Sequence, residues 1–219
     1  IQLSATKKRP DFFNNFSNYN FSSDWLDLNS YSVLHLSMSS NFYNRNFTFH
    51  TYFNLHKNFF YINNLLEPTN HVEPINHLGL ELNKKWKFNN WYIENILTFQ
   101  YSNSDFYSVP LIFNYNKVSY EAKILDNILI KYSITGRIFT DYYTPIFFPL
   151  FDVFYQQTNE LNGFKNFLSS ELFFSIKQFN IGLIIDNIQN IFFDNYELIP
   201  NYYYGPTVLR ISLKWSFFN

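Results

Sequence analysis

Between Val208 and Phe218 the side chains sort into two alternating sets. Leu209, Ile211, Leu213, Trp215 and Phe217 form one set, and Val208, Arg210, Ser212, Lys214 and Ser216 the other. Successive side chains of a strand point to opposite faces, so the pattern predicts a strand with one apolar face and one polar or cationic face. Its length matches the ~9–11 residues that a tilted strand needs to cross a bilayer. In that setting the apolar set faces lipid and Arg210, Ser212 and Lys214 face inward. The reverse would put two cations in hydrocarbon, at ~2–4 kcal/mol each near the midplane.

The same alternation recurs upstream. Phe47, Phe49, Thr51, Phe53 and Leu55 oppose Thr48, His50, Tyr52, Asn54 and His56. Leu78, Leu80, Leu82 and Trp86 oppose Glu81, Asn83 and Lys85. Trp91, Ile93, Leu97, Phe99 and Tyr101 oppose Glu94, Thr98, Gln100 and Ser102. Leu168, Leu172, Phe174 and Ile176 oppose Ser169, Glu171, Ser175 and Lys177. A helical period fits nowhere as well, so the chain is predicted to be antiparallel strand almost throughout.

Connections of two lengths are predicted. Asn89-Asn90, Asn116-Lys117 and Gln178 read as tight turns, whereas Lys57 to Ile75, Asp141 to Asn166 and Asn187 to Thr207 are long and hold most of the prolines. Short turns on one rim and long loops on the other are the layout of an outer-membrane barrel. With the C-terminus on the short-turn side, the parity works if Val118 to Thr140 is a single long strand. Its apolar positions, from Val118 through Ile134, are all even and keep one phase across Asp126-Asn127. The count is then about nine or ten strands. The alternative is an irregular soluble β-protein with mixed loop lengths.

Composition sharpens the membrane reading. Aromatics make up 23% of the chain, with 28 Phe and 18 Tyr, and charged residues only 15%, against ~25% in soluble domains. An A+T-rich genome inflates Phe, Tyr, Asn and Ile, but it would inflate Lys too, and Lys and Arg together number 16. The shortage of charge therefore fits a lipid-facing surface. A net charge of −1 gives no footprint for nucleic acid, and the lack of cysteine removes thiolate sites and disulfides. No apolar run approaches the ~20 residues of a transmembrane helix. The mean hydropathy of −0.22 agrees with alternating strands. The start at Ile1-Gln2-Leu3 has neither Met nor signal-peptide architecture. A barrel reading therefore expects an export signal, and further strands, upstream. It also expects that these residues alone leave the first and last strands as unpaired edges.

The last third carries a resemblance. Gly136-Arg137-Ile138-Phe139-Thr140-Asp141-Tyr142-Tyr143 is followed by Pro145 and Pro149, then by Asp152-Val153-Phe154-Tyr155-Gln156-Gln157 and Leu161-Asn162-Gly163. Tyr203-Tyr204-Gly205-Pro206, Arg210 and Leu213-Lys214-Trp215-Ser216-Phe217-Phe218-Asn219 close the chain. In this order the segments resemble the C-terminal end of the β-barrel porins found throughout the Bacteroidetes group. Ser212 stands where that family usually has Gly, and a basic pair expected near Ile176 to Phe179 is reduced to Lys177. Residues before about 120 carry only generic barrel patterning. The resemblance implies an antiparallel transmembrane up-and-down β-barrel. Residues 1–219 would be a barrel domain forming the C-terminal portion of a longer one, in the outer membrane of a Gram-negative bacterium.

Enzymatic and metal chemistry find little footing. His50 and His56 share a strand face but stand roughly 20 Å apart at strand rise. His71 and His77 flank a Pro-containing loop near Glu67 and Glu73 and read as ordinary loop residues. His35 and Ser37 share a face without an orienting partner, and Asp24 with Asp27, or Glu171 with Asp186, read as solvated carboxylates. The aromatic loop Tyr142 to Phe154 reads as packed by its own side chains. No catalytic residue, metal ligand or cofactor is predicted.

Two functions remain. The first is a passive pore for small solutes, lined by Glu81, Lys85, Glu94, Gln100, Lys131, Arg137, Glu171, Lys177, Arg210 and Lys214, whose mixed charges favour neither ion sign strongly. The second is a structural or ligand-binding barrel, or the C-terminal part of a TonB-dependent receptor. The expected partners are the lipid bilayer, small solutes and the barrel-assembly machinery, the last through Val208–Phe218; nucleic acid is not among them.

Overall fold

The computed structural model describes residues 2–8, 31–42, 46–63, 65, 67–125, 127–149, 153–192, 197–199, 202–203 and 205–216. Ten strands build one antiparallel sheet: β1 (Gln2–Lys8), β2 (Tyr31–Phe42), β3 (Phe47–Lys57), β4 (Ile75–Phe88), β5 (Trp91–Ser102), β6 (Ile112–Leu125), β7 (Ile128–Phe139), β8 (Lys165–Ile176), β9 (Phe179–Asp186) and β10 (Val208–Trp215). Each strand pairs with its neighbour in sequence, so the sheet is an uninterrupted up-and-down meander. Strands β1 and β10 are its two edges and do not pair with each other. Among the described residues there is no α-helix, only the 3₁₀ turns Asp105–Tyr107 and Ile188–Ile191. Among the described residues no helix is long and apolar enough to cross a membrane.

The two rims differ as the sequence predicts. Tight connections join Phe42 to Phe47, Phe88 to Trp91, Leu125 to Ile128 and Ile176 to Phe179, all at one rim. Asn46 and Asn89 take positive φ there, a conformation Asn tolerates better than most residues. The opposite rim carries 58–74, 103–111, 140–164 and 187–207, which hold four short two-stranded ribbons.

Four expectations need correction. Val118 to Thr140 is not one strand: β6 and β7 form a hairpin that turns between Leu125 and Ile128. Asn116 and Lys117 are not a turn but lie inside β6. Lys177 is not on a strand face: it sits in the turn after β8 with φ 52°. His77 is not a loop residue: it lies inside β4 and is buried. The connection 103–111, which the alternation does not separate, supplies the missing change of direction.

The first error has a geometric cause. In the other tight hairpins the paired positions change parity, as in Phe88 with Trp91 and Ile176 with Phe179. At the β6–β7 hairpin the register shifts between Lys123 and Leu125. The extra residue of that bulge restores parity, so even positions face the same side on both strands. The apolar phase therefore runs unbroken through the turn.

The cross-strand registers place the apolar sets on one common face, from Leu3 on β1 to Leu213 on β10. Lys84, Asn95, Asn114 and Asn116 interrupt it. The amides satisfy one another: Asn95 Nδ2 donates to Asn116 Oδ1 at 2.6 Å, Asn116 donates to Asn114, and Asn114 Nδ2 donates to the Ile96 carbonyl at 3.3 Å. The Lys84 ammonium lies 5.9 Å from the Trp86 ring, on the same face near the short-turn rim.

Candidate functional site

The opposite face is the candidate site, and burial sets it apart. Among the described residues Ile75 is the one buried apolar side chain. The buried strand residues are otherwise polar: Ser133 at 0% exposure, Ser119 and His56 at 5%, His77 at 6%, with Ser37, Thr98 and Thr135. By contrast, on strands paired on both sides, Leu36, Leu78, Tyr132 and Ile134 are 41–49% exposed. A water-soluble domain does the opposite, since large apolar groups gain most by leaving water. A continuous exposed apolar sheet face needs an apolar environment to cover it.

Nine of the ten predicted lining residues lie on this polar face: Glu81, Lys85, Glu94, Gln100, Lys131, Arg137, Glu171, Arg210 and Lys214. Their charges are mostly paired. Lys85 meets Glu94 at 2.9 Å, Lys131 meets Glu121 at 2.8 Å, and Arg210 meets Asp186 through both Nε and Nη2 at 2.6 Å. Lys117 reaches Glu171 at 2.9 Å across the intervening β7, where the small Ser133 and Thr135 leave room beneath it. Arg137 lies over the Tyr115 ring. The partners Lys117 and Glu121 escaped the sequence reading because the β6–β7 hairpin did.

A second group on the same face is uncharged. His35, Asn54 and His77 stand in one row across β2, β3 and β4, and Tyr52, Gly79 and Gln100 in the next row across β3, β4 and β5. His35 Nδ1 donates to Asn54 Oδ1, and Asn54 Nδ2 donates to His77 Nδ1 at 3.3 Å. His77 Nε2 is then the donor to Tyr52 Oη at 3.5 Å, and the Tyr52 hydroxyl donates to Gln100 Oε1 at 3.2 Å. Gly79 makes this relay possible: a Cβ there would come within 2.0 Å of Tyr52 Cζ. The lack of a side chain is what lets the phenol lie across β4. None of these links was predicted: all but His35–Asn54, which lies across β2 and β3, depend on the β3–β4 register across a long connection.

At the long-loop rim this group is covered. The Tyr107 ring, on the 103–111 connection, sits 4.7 Å from that of His56 and 5.3 Å from that of His77. Tyr31 stacks on His56 with its hydroxyl 2.6 Å from Nδ1, and Phe59 abuts Tyr31, His56 and Tyr107. Burial raises the Tyr107 phenol above its ordinary pKa, so it stays neutral. The loop Tyr142 to Phe154 packs partly on itself, with Phe147 against Phe154 at 5.0 Å.

Among the described residues no three His, Asp or Glu are grouped to hold a metal ion. An apolar groove of about 650 Å³, lined largely by Leu36, Met38, Phe53, Leu80 and Phe99, belongs to the apolar face. The protein family described as "Putative porin" matches residues 1–219. No curated protein and no solved structure matches the chain.

Proposed function

The chain belongs to that porin family, and on this premise we propose that its polar face lines a water-filled channel through which small solutes diffuse passively across an outer membrane. The observation that carries the reading is the inverted burial: hydroxyls and imidazoles are buried while Leu, Ile and Trp are exposed. Backbone polar groups in hydrocarbon must be paired, and an antiparallel meander pairs them strand to strand. The alternative orientation would put eight charged side chains of four ion pairs against lipid.

The nine lining residues named above then face the lumen. Because most of their charges cancel in pairs, the channel discriminates weakly between cations and anions. Membership of a porin family points to a channel and not to an enzyme. The lipid bilayer meets the apolar face, and the strand Val208–Trp215 offers its free edge to the barrel-assembly machinery. Phe217 and Phe218 lie outside the described residues.

Planar-bilayer recording of the full protein tests this directly. Stepwise, nearly unselective conductance is expected. A protein that inserts in its folded form but never conducts would contradict it.

A further inference from the structure

We infer that the connection 103–111 is the constriction of this channel and that Tyr107 is the residue that sets its width, sorting solutes by size. The inference rests on the channel reading above. Tyr107 belongs to no strand, yet its ring lies on His56 and His77, both of which belong to the polar face. These two imidazoles are among the most buried groups on that face, and what packs on them includes this loop. The segment therefore folds inward over the wall instead of projecting from the rim.

It is also fixed there. Asn103 is clamped to β4 twice, the Asn76 N–H donating to Asn103 Oδ1 at 2.7 Å and the Asn103 N–H to the Asn76 carbonyl at 3.2 Å. Phe106 wedges between Tyr61 and His71 of the neighbouring ribbon at 4.9 and 5.4 Å. The Tyr143 N–H donates to Ser108 Oγ at 2.9 Å, and the Gln156 N–H to the Ile62 carbonyl at 2.7 Å, so three loops are tied together at this rim. Anchors on both sides of residue 107 hold the ring in place, as a size filter requires, where a free loop would sweep aside. The wall beneath Tyr107 is the relay of imidazole, amide and phenol, and the four ion pairs are made by other residues. Trimming the ring should accordingly widen the path without changing ion preference.

The test compares the full protein with Tyr107→Ala and Tyr107→Phe in planar bilayers and in liposome swelling with sugars of increasing size. Tyr107→Phe should match the parent, since the ring and not the hydroxyl fills the space. Tyr107→Ala should raise single-channel conductance roughly twofold or more, admit larger sugars and leave the cation-to-anion ratio unchanged. A parent that conducts and a Tyr107→Ala variant that conducts identically would overturn the constriction while leaving the channel reading intact. If neither conducts, the channel reading itself falls and takes the inference with it. Should Tyr107→Ala fail to fold, Tyr107→Cys in a full protein otherwise free of cysteine gives the same answer; residues 1–219 contain none of their own. A bulky water-soluble thiol reagent should block its current, and an unblocked current would count against the constriction.

Discussion

The polar face is built in two ways. On β2 to β5, near the long-loop rim, it is a neutral relay of imidazole, amide and phenol closed over by aromatic rings. Elsewhere, from β4 to β10, it is a set of cross-strand ion pairs. Both solve one problem, that of keeping polar side chains satisfied on a crowded sheet face. The neutral solution is directional and dense, and it depends on a missing side chain at Gly79. The ionic solution is looser: Lys85 and Arg210 are 61% and 59% exposed in their pairs. The difference suggests where each property of the channel resides, with size control at the neutral part and the electrostatic balance at the ionic part.

The largest effect should come from the back of the wall, and it should be the same behind both parts. Leu80→Arg lies behind the relay and Leu172→Arg behind the Lys117–Glu171 pair, both at mid-strand on the apolar face. Each should cost ~2–4 kcal/mol if that face meets lipid near the midplane, measured by reversible unfolding in detergent or bilayer. A cost confined to one of them would mean that only part of the sheet is embedded.

Next comes Gly79→Ala. The added Cβ must displace the Tyr52 ring, breaking the link to Gln100, at ~1–3 kcal/mol of stability. Ion selectivity should not move, and a change in it would erase the distinction between the two parts. Glu171→Gln is the converse. It leaves Lys117 without its carboxylate on a part-exposed surface, costing ~1 kcal/mol or less, and reversal potentials should shift toward anions. The smallest effect is a gain: Lys177→Asn relieves a side chain held at φ 52° and should stabilise the β8–β9 turn by ~0.5–1 kcal/mol.

The sequence made one half of this comparison more legible than the other. Period two marks the strands because one face is apolar along most of its length, and tight turns such as Asn89-Asn90 show where parity flips. Lys85 with Glu94 could be paired from that turn alone, since they stand equally far from it. Where a bulge restored parity, at the β6–β7 hairpin, the turn vanished from the pattern and Lys117 was lost with it. The relay was illegible for a different reason. His35, Asn54 and His77 meet only after a long connection sets the β3–β4 register, and no local pattern carries that information. Tyr107 likewise reads as a loop residue until the loop's inward fold is known.

The central claim is that one face of the sheet meets water and the other lipid. Single cysteines at 211, 212, 213 and 214, placed one at a time in a full protein otherwise free of cysteine, test it in the membrane with a charged, water-soluble thiol reagent; residues 1–219 contain none of their own. Cysteines replacing Ser212 and Lys214 should react, and those replacing Ile211 and Leu213 should not. Equal reaction at all four positions, or the reverse alternation, would contradict the account.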